Sequence, residues 1–135
     1  MTDHYRPFQL LYVSRLARGT EPGVVTAIAT SSQEKNFARD ISGALLFDGS
    51  WFAQLLEGAE AEVRLLMGTI DKDLRHEQVE VLAAGRFGLP RLTDRWSFRR
   101  CESSLLESLT TGDATVRDEV ALAMFMSTLA AASDV

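Results

Sequence analysis

The stretch ISGALLFDGSWFAQLLEG, residues 41–58, constrains the chain most. Two apolar runs flank Asp48-Gly49, a pair suited to a tight turn, and together they predict a β-hairpin. Neither run alternates cleanly between apolar and polar residues. Strands of that kind are covered on both faces for much of their length, so the hairpin demands structure above and below it. Gln54 is the anomaly in the second run. Its carboxamide carries two donors and an acceptor, and leaving it buried without partners costs about 1–3 kcal/mol.

The segments around the hairpin supply candidates for that cover. FQLLYVSRL (8–16) reads as a buried first strand, followed by the loop ARGTEPG. Pro22 suits the first turn of a helix, and VVTAIATSSQEKN places Val24, Ile28 and Ser31/Ser32 at helical spacing, with an end expected near Asn36. Residues 59–73 form an amphipathic helix with a stripe of Val63, Leu66 or Met67, and Ile70. The acidic run EGAEAE before it reads as a solvated helix start. Residues 77–87 alternate around Val79, Val81 and Ala83 and predict a fourth strand, and RWSFRRC (95–101) a short fifth. Beyond Glu102 the pattern turns helical. A short helix is expected over 103–112, stopped by Gly112. A longer one follows over 113–133, capped by Asp113, with Val116, Val120, Met124 and Leu129 on one apolar face widened by Phe125 and Met126.

The order β-α-β-β-α-β-β followed by two helices predicts an α+β fold: a ferredoxin-like sheet with helices one and two on one face. The terminal helices then cover the other face. Residues 1–101 make the main domain and 102–135 a helical extension.

Charge and composition exclude several functions. The net charge of −5 argues against nucleic acid and against an anionic membrane surface as partners. Cys101 is the lone cysteine, so no intramolecular disulfide forms, and no Cys/His spacing suits a common zinc module. His4 and His76 are too few for a histidine-rich metal site. MTDHYRPF lacks an apolar signal core, and no run approaches the ~20 apolar residues of a membrane span. These features predict a cytoplasmic protein.

Two strands each carry one awkward polar group. Leu10, Tyr12 and Ser14 share a face of strand one, and Phe52, Gln54 and Leu56 share a face of the second hairpin strand. If those strands are neighbours, the Tyr12 hydroxyl meets the Gln54 amide beneath the two helices. Most buried polar groups are structural, so Gln54 bonded to helix backbone or to a buried water stands as one reading. Asn36 and Ser31-Ser32 add amide and hydroxyl groups near the same cleft. An apolar pocket with a few convergent polar groups is the general form of a small-molecule site.

Taken together, LLYVSRL, SSQEKN, DISGALLFDGSWFAQLLEG, IDKDLRH and RWSF, in that order over about residues 8–99, resemble the BLUF family of flavin-using blue-light sensors. The resemblance implies a flavin, FAD with FMN or riboflavin as alternatives, held between the two helices. Tyr12 then matches the photoactive tyrosine, Gln54 the switching glutamine, and Asn36 the asparagine that bonds the ring edge. Ile28, Ser32, Phe52 and Ile70 match residues packed on or near the ring, with Lys35 also in the binding set. Asp73, Arg75 and His76 match the segment near the far edge and the phosphate tail. Trp96 and Phe98 match the strand-five positions that relay the signal. The family usually has Trp-Ser-Met where this chain has Trp96-Ser97-Phe98. A basic residue frequent in helix two is replaced by Thr69, and Lys35 stands where many members have Asn, His or Arg.

The implied function is light sensing rather than turnover. Tyr12 gives an electron and a proton, Gln54 relays and rearranges, and the absorption shifts to the red. The expected output is a change of homo-oligomer or recruitment of a separate downstream protein, through the terminal helices. A small acylphosphatase-like enzyme and a flavin-less dimerisation module are the alternatives. Colour discriminates them, because only the first is a yellow protein that reddens its spectrum under blue light.

Overall fold

The structure, a computed structural model, describes residues 6–21, 23–102, 109 and 118–134. The strands are β1 (Phe8–Leu16), β2 (Ser42–Phe47), β3 (Trp51–Gly58), β4 (His76–Gly85), β5 (Trp96–Arg100) and β6 (Ser133–Asp134), and the helices are α1 (Gly23–Ala38), α2 (Glu60–Asp71) and α3 (Asp118–Ala131). The strands form one sheet in the order β4-β1-β3-β2-β5-β6. Its first four are the expected ferredoxin-like arrangement: β1 runs antiparallel to β3 and β4, and β2 antiparallel to β3. β5 then lies parallel to β2. The hairpin closes through Asp48, whose Oδ1 accepts from the backbone N–H of Ser50 at 2.9 Å and of Trp51 at 2.7 Å. Gly49 has φ 106°, which glycine reaches without a Cβ clash.

Both faces of the sheet are covered, as the unbroken apolar runs require. α1 lies over β5 and β2, while α2 lies over β1, β3 and β4. On this face Leu10, Tyr12 and Leu56 pack with Val63 and Leu66 of α2, and Leu45, Phe52 and Trp96 pack with Val25, Ile28 and Ala29 of α1. On the opposite face Leu11, Val13, Ala53 and Leu55 meet Ala121, Leu122, Phe125 and Leu129 of α3. Alternate residues of β1 and β3 thus serve different cores. Each fully buried large apolar side chain contributes about 1.5–3 kcal/mol.

Several expectations shift. Val120 is 43 % exposed and Met124 only half-buried, so the buried stripe of α3 runs through Leu122, Phe125 and Leu129. This helix is apolar nearly all round, and its pattern could not set its phase. It stops at Ala131, and Ser133 and Asp134 pair with Arg100 and Arg99 as β6. In β4, Val79 is half-buried on the α2 face and Val81 is exposed, whereas Ala83 is buried on the α3 face. Register shifts opposite Leu11/Tyr12 and Val13/Arg15 break the alternation, because a bulge sets two residues against one. Val25, not Val24, is the buried valine of α1, and the helix runs past Asn36 to Ala38. Glu57, read as part of a solvated run, is fully buried on the α3 face. Leu109 is helical and buried; the rest of 103–112, Pro22, Asp113 and Val116 lie outside the described residues.

Candidate functional site

α1 and α2 rest on different strands, and a cleft opens between them above β1 and β3. The register sets Tyr12 directly across from Gln54 on one side, and Leu45 across from Gln54 on the other. Gln54 is 2 % exposed. Its Nε2 donates to the Tyr12 hydroxyl oxygen at 2.5 Å, and its Oε1 accepts from the Trp96 indole N–H at 2.9 Å. The Asn36 carboxamide, turned with its oxygen to the indole, accepts from the same N–H at 2.9 Å and donates to the Ser32 carbonyl at 3.3 Å. Two buried amides therefore share one donor, and the polar atoms of Gln54 are partnered from β1 and from β5. Trp96 is the partner that periodicity alone leaves open, since it comes from a strand two places away in the sheet.

Burial raises the Tyr12 phenol well above its ordinary value, with the Gln54 bond opposing the rise and the Asp73 carboxylate adding to it. Tyr12 is thus a protonated phenol at any physiological pH. At the other end of the cleft, Ser14 Oγ lies 2.9 Å from His76 Nδ1, and the His76 ring packs 4.9 Å from Phe52. Burial pushes His76 below its ordinary value, with Asp73 opposing this and Arg75 reinforcing it. Arg75 grips Asp73 in a forked pair, Nε to Oδ1 at 2.9 Å and Nη2 to Oδ2 at 2.7 Å, and these bonds hold the Asp73 carboxyl below the usual range.

Tyr12, Ile28, Ser32, Lys35, Asn36, Gln54, Ile70, Asp73, Arg75 and His76 all line this cleft. Phe52 lies beneath it, fully buried between Phe47 and His76. Trp96 joins through its bond to Gln54. Phe98 does not join: it lines a separate groove with residues of α1 and α3, under the Arg100 guanidinium. Leu45 also lines the cleft. It reads in the sequence only as hairpin core, and its signal is the register that sets it opposite Gln54. The gap itself is narrow, about 40 Å³, against roughly 300–1,000 Å³ for a typical ligand pocket.

The sequence model of one family, described as sensors of blue light using FAD, matches residues 8–99. The chain belongs to the BLUF family. It is accordingly a flavin-binding blue-light sensor domain. The Escherichia coli K12 "Blue light- and temperature-regulated antirepressor BluF" is 36% identical over 84 residues, covering 58% of this chain and 21% of that protein. The Euglena gracilis "Photoactivated adenylate cyclase subunit beta" is 29% identical over 108 residues, covering 78% of this chain and 12% of that protein. The chain thus spans only a small part of these relatives. Among solved structures, photo-activated BlsA superposes with a TM-score of 0.73 at 21% identity, over 96% of this chain and 98% of that one. BlrB in its dark state gives 0.72 at 24% identity, over 95% and 98%. Both share the BLUF fold. Among the described residues no helix is long and apolar enough to cross a membrane, and no group of His, Cys, Asp and Glu could hold a metal ion.

Proposed function

We propose that the flavin is FAD, seated in the cleft between α1 and α2, and that Tyr12 and Gln54 are the photoactive pair. The observation that carries this reading is the hydrogen-bonded chain from Tyr12 through Gln54 to Trp96, buried along the floor of that cleft. The residues suit the group. The Asn36 and Gln54 amides offer the donors and acceptors that a flavin ring edge needs, with Ser32 beside them. Ile28 and Ile70 from opposite helices supply apolar walls. Lys35 and Arg75 line the cleft as cations that would suit an anionic tail.

A bound flavin supplies the absorption of blue light and an electron-accepting ring. The chain supplies the rest. Tyr12, a buried protonated phenol, would pass an electron and its proton towards the excited ring and take both back on recombination, so that no net oxidation remains. Gln54 has a donor at one end and an acceptor at the other, so rotation or tautomerisation exchanges its partners without leaving a buried atom unpaired. With flavin bound, the rearranged amide would bond towards the ring and shift its absorption to the red. Leucine at this position makes neither bond. Output then passes through Trp96 into β5 and on to α3, which Arg99 Nη1 touches at the Leu129 carbonyl at 3.3 Å. A two-state packing change there is what a partner reads. On this reading residues 1–101 sense and 102–135 transmit, to a second copy or a separate cytoplasmic protein.

The test compares absorption in the dark and under blue light for wild type and Tyr12→Phe. Wild type should be yellow and shift reversibly to the red. The variant should keep flavin and show no persistent shift; a stable red shift in it removes Tyr12 from the mechanism.

A further inference from the structure

Behind Gln54, on the sheet face away from the cleft, the same strand buries a carboxylate. Glu57 is 0 % exposed, and both of its oxygens are saturated. Oε1 accepts from the Thr93 backbone N–H at 2.9 Å and the Thr93 hydroxyl at 2.6 Å; Oε2 accepts from the Leu92 backbone N–H at 2.7 Å and Gln9 Nε2 at 2.8 Å. Arg91 adds to the grip. Its Nη1 donates to Ser42 Oγ at 2.9 Å and to the Glu57 carbonyl at 3.2 Å, and its Nη2 to the Asp40 carbonyl at 3.0 Å. Residues 91–93 are thereby strapped to the ends of β2 and β3.

Three residues further on stands Trp96. Three residues reach at most about 10 Å, and Asp94 and Arg95 between them are exposed. The ladder bond that opens β5, from the Gly43 N–H to the Arg95 carbonyl, is long at 3.5 Å, at the weak limit of such bonds. The strap thus anchors the chain just ahead of the point where β5 begins to pair with β2, at Trp96 opposite Gly43.

We propose that Glu57 is a positioning residue for the light reaction: through the Leu92–Thr93 strap it sets where Trp96 meets Gln54 and Asn36. A carboxylate suits this task because four donors converge on it, and it can accept at about four sites while donating at none. Glutamine in its place turns an amide donor against at least one backbone N–H, that of Leu92 or of Thr93, since the Gln9 amide and the Thr93 hydroxyl can turn to accept. The inference rests on Gln54 being the switching residue, since only then does the place of its indole partner bear on the response. It predicts that the dark-state bond to Gln54 is tuned from the far side of the sheet.

The experiment reads the indole directly. The chain has two tryptophans, so the 15N-labelled, flavin-loaded protein in the dark gives two indole N–H signals, assigned with Trp51→Phe. Thr93→Val removes one donor to Glu57 from a half-buried site and should fold. It should shift the Trp96 signal upfield and leave Trp51 in place, and Thr93→Ser, which keeps the hydroxyl, should restore the wild-type position. Glu57→Gln should act in the same direction and further. Dark recovery of the red-shifted state should change at least threefold in Thr93→Val and not in Thr93→Ser. A Trp96 signal that stays put in Thr93→Val while the melting temperature falls overturns the proposal and leaves Glu57 a loop anchor. The indole signal needs no light, so it decides the positioning role alone; a signal that moves with recovery unchanged supports that role and counts against the assignment of Gln54.

Discussion

Replacing Gln54 by leucine separates a switching amide from a structural one. Two bonds disappear, Nε2 to Tyr12 at 2.5 Å and Oε1 from Trp96 at 2.9 Å. At about 0.5–1.5 kcal/mol net apiece, their loss costs about 1–3 kcal/mol. The Trp96 N–H keeps the Asn36 oxygen at 2.9 Å, but the buried Tyr12 hydroxyl loses its Gln54 partner, which adds about 1–3 kcal/mol. The leucine in turn buries apolar surface in place of an amide at a site already 2 % exposed, which returns about 1.5–3 kcal/mol. The return offsets only part of the cost, and stability should fall by about 1–3 kcal/mol, at roughly 3–6 °C in melting temperature per kcal/mol for a domain of this size. Flavin should still bind, while the light-induced red shift should vanish. The assay is a dark-state thermal melt by circular dichroism beside light-minus-dark absorption spectra of the same samples. A wild-type photocycle in Gln54→Leu would refute the assignment. A loss above about 4 kcal/mol, the range of broken buried networks, would refute the energetic argument.

Asn36→Ala removes an acceptor of the Trp96 indole and the proposed contact to the ring edge, so flavin should dissociate more readily, by about three- to tenfold for a bond of roughly 0.5–1.5 kcal/mol; equal retention on gel filtration would place Asn36 outside the site. His76 sits below its ordinary value in the fold, so the unfolded chain takes up the proton first as pH falls. Stability should therefore decline from about pH 6.5 downward, and His76→Gln should flatten that stretch in urea midpoints taken between pH 7.5 and 5.5; identical slopes refute the burial argument. Phe125→Asp puts a charge into the α3 core and should cost more than about 4 kcal/mol, whereas Val120→Asp on the exposed side should stay within about 0.5 kcal/mol. Equal losses in denaturant titrations would put the helix back in its sequence-expected phase.

The local pattern of the chain determines its elements. Unbroken apolar runs around Asp48-Gly49 imply a doubly covered hairpin, and the order of strands and helices implies the ferredoxin-like sheet. The spaced motifs imply the family, and the period of two places Tyr12 and Gln54 on the faces where they meet. What local pattern cannot carry is phase and distance. α3 is apolar nearly all round, so only contact with the sheet decides that Phe125 points in and Val120 out. Bulges opposite β1 invert the alternation of β4, and no composition marks them. Trp96 and Gln54 are 42 residues apart, and Glu57 looks like its solvated neighbours until Leu92, Thr93 and Gln9 are brought around it. A buried polar group declares in sequence that it needs partners. Which groups those are depends on long-range strand order, because hydrogen bonds are satisfied in space and not along the chain.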